Sequence, residues 1–170
     1  ICSSTTFLSG FIFLFFICEG PFKFTKTRFQ PLQIFQVIKS KPLNLVNIGY
    51  MGHMWELYAM WAWILAFTIY VEKEYAISPF GIPEYFSFVI VSMGAFGSVL
   101  AGRLSDIYGR CYTTACFLLI SGACALFIGF SDVFSPRLLI AIALLWGFTV
   151  IADSGQFSTA VTELSDRHLV

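Results

Sequence analysis

Four stretches of the chain are almost free of charge: Ile48 to Tyr70, Tyr85 to Ala101, Tyr112 to Phe130 and Leu138 to Val161. Each approaches or exceeds the roughly 20 residues that cross a bilayer as an α-helix. Four transmembrane helices are therefore expected. A fifth apolar stretch, Phe7 to Cys18, is too short to span alone and reads as the end of a helix that begins upstream, since the chain opens on Ile1 and its start reads as cut. A secretory leader is the other reading of this stretch. It has no basic residue before its apolar core and no small-residue cleavage pattern before Glu19. In "RFQPLQIFQVIKSKP", Ile34, Phe35 and Ile38 share one helical stripe while Gln33, Gln36 and Lys39 face away. Such a pattern suits a helix lying in the membrane interface and ended by Pro42. An ordinary cytoplasmic loop fits the same composition.

Within the second apolar stretch, Gly94, Ser98 and Gly102 recur every fourth residue, with Gly97 and Ala101 on the adjoining ridge. In lipid the hydrophobic effect no longer drives helices together, so close backbone approach at small residues supplies the packing. This helix should carry a tightly packed face.

Composition supports a membrane chain: 58% of residues are hydrophobic and 12% charged, with a mean hydropathy of +0.80. The fold class expected is an all-α polytopic helical bundle in a lipid bilayer. A net charge of zero gives no basic field for nucleic acid. Charge placement says more than charge total. Lys23, Lys26, Arg28, Lys39, Lys41, Arg103, Arg110 and Arg167 fall on one side of the predicted topology, and only Lys73 and Arg137 on the other. Basic residues of short loops stay in the cytoplasm, which puts residues 19–46 and 102–111 inside and makes the plasma (inner) membrane the expected location. Cys2, Cys18, Cys111, Cys116 and Cys124 lie in or beside apolar runs without metal-site spacing, so no metal or other cofactor is expected.

The polar connection "GRLSDIYGR" concentrates Arg103, Asp106 and Arg110 between Gly102 and Gly109. The turn must reverse the chain at the membrane surface, and the two glycines would allow it. Asp106 can pair with Arg103 or Arg110, or face a positive helix end. A plain basic anchor loop is the other possibility. This nonapeptide resembles the signature loop of the major facilitator superfamily of secondary transporters, Gly-x-x-x-Asp-(Arg/Lys)-x-Gly-(Arg/Lys). Gly102, Asp106, Gly109 and Arg110 stand at the matching positions, and Ile107 stands where the family has a basic residue. "NIGYMGHMWELYAMWAW" and "ADSGQFSTAVTEL" are similar to the helix 7 and helix 10 stretches of nitrate/nitrite or cyanate transporter-like members.

The resemblance implies a partial fold of that superfamily: residues 1–18 end helix 6, residues 19–46 form the central cytoplasmic loop, and residues 47–170 hold helices 7 to 10. The N-terminal half and helices 11 and 12 would be the missing partners. It further implies that Asp106 latches onto the opposite half and stabilises the outward-open state, and that helices 7 and 10 line a central cavity.

Ionisable residues inside a span are costly and mark sites. His53 and Glu56, three apart, share a face of the first full span, and Asp153 lies in the last with Gln156 three residues on. By helix rise Glu56 lies about 13 Å and Asp153 about 12 Å from the cytoplasmic end. A protonatable cluster on a transport path fits these residues, with His53 pairing with Glu56 or taking the proton itself. An interhelical polar clamp fits them too. Trp55 and Tyr58 are candidates for the cavity wall, whereas Glu163, Asp166 and Arg167 should lie in solvent beyond the last span. The expected function is a fragment of a secondary active transporter that moves a small molecule or ion by alternating access, coupled to protons. The alternative is a non-transporting scaffold or receptor-like module. An enzyme is not expected: metal-protease and serine-hydrolase motifs are missing, and "SGQFS" has no evident base beside it.

Overall fold

The computed structural model describes residues 2–17, 34–77, 79 and 81–165. It divides into two units, residues 1–30 and 31–170. The first contains α1 (Cys2–Phe16), whose Phe7, Leu8, Phe11 and Phe15 are all exposed. Lys23, Lys26, Arg28, Gln33, Asp166 and Arg167 lie outside the described residues.

The second unit contains α2 (Ile34–Lys39), α3 (Lys41–Tyr75), α4 (Pro83–Tyr108), α5 (Arg110–Ile128), α6 (Pro136–Val150) and α7 (Ser154–Leu164). Four spans, Lys41–Tyr75, Pro83–Tyr108, Arg110–Ile128 and Pro136–Leu164, are long and apolar enough to cross a membrane. The all-α polytopic class therefore holds. Three of the four spans outrun the apolar stretches that announce them at both ends, because backbone hydrogen bonding does not stop where the hydrocarbon does. At 35 residues, α3 is about 52 Å long, well beyond the roughly 30 Å hydrocarbon core. Pro42 falls in its first turn, where the missing N–H leaves no bond unmade. It thus opens α3 rather than ending the helix before it, which stops at Lys39.

Between α4 and α5 stands a single residue, Gly109, at φ 88° and ψ 154°. Arg103 and Asp106 are helical, and Gly102 sits inside α4 with no atom of the described residues within 4 Å of where a Cβ would be. One glycine makes this turn, not two.

The small-residue face is real, but shifted. Ile90, Gly94, Gly97 and Ala101 are the buried ridge of α4, while Ser98 is exposed. A Cβ on Gly97 would lie 1.8 Å from the Phe148 carbonyl oxygen, and one on Gly147 would lie 2.0 Å from that of Ile90. Backbone meets backbone between α4 and α6. Leu57, Met60 and Ile64 of α3 close the core against Phe86 and Ile90 of α4 and Ala143 and Val150 of α6. Toward the other end of the bundle, Thr68 and Ser87 share a buried hydroxyl contact of 2.8 Å, and the Tyr70 hydroxyl donates to Asp132 at 3.0 Å.

The last span is interrupted. Helix α6 stops at Val150, Ile151 to Asp153 form a turn, and α7 starts at Ser154. Tight bonds from the Ala152 amide to the Thr149 carbonyl and from the Ser154 amide to the Ile151 carbonyl carry the chain through. Asp153 caps the second half with its own carbonyl, which accepts from the Gln156 and Phe157 amides.

Candidate functional site

The interruption places Asp153 against α3. Its Oδ1 lies 3.0 Å from His53 Nδ1, and both side chains are only 1% exposed. The approach is close, but the groups are not aligned for a hydrogen bond; His53 Nδ1 and both Asp153 carboxylate oxygens lack any hydrogen-bond partner among the described residues. The other ring nitrogen, Nε2, is 2.7 Å from Ser154 Oγ. One imidazole thus bridges two successive residues at the break. Phe157 covers it with ring centroids 5.6 Å apart and stacks on Tyr50 at 5.5 Å. Gly49 leaves the room, since a Cβ there would meet the Phe157 ring at 3.0 Å.

Glu56 goes elsewhere. Its Oε1 accepts from Trp146 Nε1 of α6 at 2.9 Å and its Oε2 from the Ser121 hydroxyl of α5 at 3.2 Å. The expected level of Glu56 with Asp153 is in fact occupied by His53, one turn earlier, because α3 presents that residue to α7 and Glu56 to α5 and α6. Geometrically Glu56 is an interhelical clamp. Glu56→Ala should strand two donors and remove about 1 to 2 kcal/mol of stability. A several-degree fall in the melting temperature of the detergent-solubilised full-length protein is the expected readout, with most of it recovered in Glu56→Gln.

Gln156 is 7% exposed, and its Oε1 accepts from Arg110 Nη1 at 3.3 Å. Arg110 also grips Glu163 with two bonds of 2.8 Å, from Nε and Nη2. The signature-loop arginine is therefore tied to α7 rather than to Asp106. Arg103 and Asp106 are exposed, with no ion pair between them or to Arg110 among the described residues. Glu163, expected free in solvent, is in the last turn of α7, half-exposed and paired. Trp55 and Tyr58 are 82% and 62% exposed. With Tyr50, Met51, Met54 and Ala59 they line an open hollow of about 530 Å³ on α3.

Ser154, Phe157, Ser121, Trp146 and Glu163 are the partners that single-residue reasoning misses. "SGQFS" does mark a polar patch. The base it lacks in sequence arrives from α3, 101 positions away, and nothing local announces that contact.

A multi-pass bundle of four apolar spans, with a buried ionisable pair at an interruption of the last, defines a class, that of polytopic membrane proteins. A family profile described as sugar (and other) transporter matches residues 34–169. The chain belongs to that family, within the major facilitator superfamily, and is a transporter-family membrane protein. Neither the search of curated proteins nor that of solved structures returned a match. The profile gives no support to the narrower nitrate/nitrite or cyanate branch.

Proposed function

We propose that the chain is the stretch from the end of helix 6 to helix 10 of a secondary active transporter, with α3, α4 and α5 as helices 7, 8 and 9, and α6 with α7 as helix 10. It moves a small solute across the plasma (inner) membrane by alternating access, coupled to protons, with the Arg110 end of the bundle in the cytoplasm. One observation carries this reading: a carboxylate 1% exposed, without a hydrogen-bond donor among the described residues, 3.0 Å from an imidazole at a break in a span. A bare buried carboxylate is too costly to persist unless a proton or a cation neutralises it. Interrupted helices in transporters place such groups where coupling ions bind. His53 and Asp153 together hold and release the proton, Ser154 orients the ring, and Trp55 and Tyr58 form part of the solute path.

An anion such as nitrate fits beside Asp153 only when the carboxylate is neutralised, so the branch resemblance and the site chemistry pull apart. Asp106 latches onto the other half in this reading, as its motif implies; its exposure and its lack of an ion pair among the described residues support that role.

Uptake into vesicles bearing the full-length protein, driven by an imposed pH gradient, tests the assignment. Asp153→Asn and His53→Ala should each lower proton-driven uptake about tenfold or more, and Glu56→Gln should keep its proton dependence. Unchanged proton dependence in both site variants would rule the coupling role out. A full-length protein that carries no solute under any gradient would favour the scaffold reading.

A further inference from the structure

Gln156, Ala160 and Glu163 follow one another at helical spacing along one side of α7, in line with Asp153 at the turn just before it. This stripe links the buried pair to the end of the helix, about 15 Å away by helix rise. Arg110 lies along its second half. The guanidinium reaches Gln156 through Nη1 at 3.3 Å and Glu163 through Nε and Nη2 at 2.8 Å. Arg110, Gln156 and Ala160 border the same cavity of about 270 Å³ between α3, α5 and α7. Ala160, between the two acceptors in sequence, is too small to obstruct the arginine. Arg110 is also the first residue after Gly109, the sole link between α4 and α5.

We infer that Gln156 is a positioning residue that ties the charge state of the His53–Asp153 pair to the Arg110–Glu163 pair at the cytoplasmic end of α7. The inference rests on the proton-coupling reading above. Arg110 is a cation shared between two acceptors, one neutral and buried, the other a half-exposed carboxylate. When Asp153 is ionised and His53 neutral, the negative charge at the head of α7 draws the guanidinium toward Gln156. A proton on the pair cancels that charge, and Arg110 then settles on Glu163 alone.

The other polar groups around the pair do not replace this link. Ser154 and Tyr50 are neutral neighbours of His53. Glu56 is held by Ser121 and Trp146, and Arg103 and Asp106 of α4 are exposed. Among the described residues, Gln156 is the one side chain within a turn of Asp153 that bonds to Arg110.

Cys111, exposed and adjacent to Arg110, supplies a native reporter. In the full-length transporter with its other cysteines replaced by serine, the labelling rate of Cys111 by a charged methanethiosulfonate is measured in inside-out vesicles at pH 6 and pH 8. Normalising to Asp153→Asn removes the thiol's own response to pH. The wild type should keep a pH response of about fivefold or more. Gln156→Leu should lose it, and Gln156→Glu, which still accepts from Arg110, should retain it. Gln156→Met replaces the leucine variant if that one does not insert. A wild-type-sized response in the Leu or Met variant overturns the link and leaves proton coupling standing. Absence of any response in wild type, together with gradient-driven uptake that Asp153→Asn does not lower, overturns both.

Discussion

Gly97→Val is expected to leave no correctly folded full-length protein in the membrane. The new Cβ would lie 1.8 Å from the Phe148 carbonyl oxygen, and the obstacle is backbone, which cannot rotate away as a side chain does. Helices α4 and α6 would have to separate along their whole contact, opening the core where Phe86, Ile90, Ala143 and Val150 meet. Overpacking in a dense interior costs about 1 to 3 kcal/mol even where neighbours can yield, and here they cannot. Gly147→Val, with its Cβ 2.0 Å from the Ile90 carbonyl oxygen, should fail equally. Gly102 lies on the same helix but has no neighbour within 4 Å of its Cβ position among the described residues, so Gly102→Ala should be silent or raise helix stability by about 0.5 to 1 kcal/mol. Detergent-extracted, monodisperse yield of a fluorescent fusion separates these outcomes. A Gly97→Val protein with normal yield and melting temperature would show that α4 and α6 do not pack as described.

Gly109→Val should be the most damaging change at the turn between α4 and α5. At φ 88° and ψ 154°, the residue occupies a region essentially reserved for glycine, where a side chain costs about 1 to 3 kcal/mol. A β-branched side chain is the worst choice for it. No atom of the described residues lies within 4 Å of a Cβ there, so the penalty is conformational rather than steric crowding. Relief would come by unwinding the start of α5, and that displaces Arg110 from Gln156 and Glu163. Both a lower melting temperature and faster labelling of Cys111 are expected. Gly109→Ala should show the same pattern to a smaller degree, and an unaltered Gly109→Val protein would contradict the positive-φ turn.

Element existence was legible because each span is an unbroken apolar run of about membrane length, and lipid permits no other hydrogen-bonded form for such a run. Their ends were not, since helices continue into polar sequence that hydropathy does not score: α3 begins at Lys41 and α4 runs through Arg103 and Asp106 to Tyr108. The small-residue pattern announced close packing. Whether Gly94 and Gly97 or Ser98 and Gly102 faced the partner depended on the rotation of α4 about its axis, which α6 sets.

The candidate residues His53, Glu56, Asp153 and Gln156 stood out because ionisable or strongly polar groups are rare inside apolar runs. Their grouping did not. Glu56 and Asp153 match in depth by residue counting, yet that count takes no account of azimuth. One turn of α3 separates a residue aimed at α7 from one aimed at α5 and α6. Likewise Asp106 and Arg110 sit four apart and invite pairing, but α7 brings Glu163 alongside Arg110 with two donors engaged.

By itself, then, the sequence determined that this chain forms apolar helices of membrane length, where its charges are scarce enough to matter, and which glycine-rich helix must pack tightly. Those properties follow from solvent, hydrogen bonding and side-chain volume, all of which act residue by residue. Only the tertiary structure decided that the last span breaks at Ile151 to Asp153, that His53 rather than Glu56 meets the carboxylate there, and that Arg110 spans Gln156 and Glu163. Each of those outcomes depends on how helices rotate against one another. That rotation is fixed by the sum of many contacts between distant segments, and no local stretch of sequence contains it.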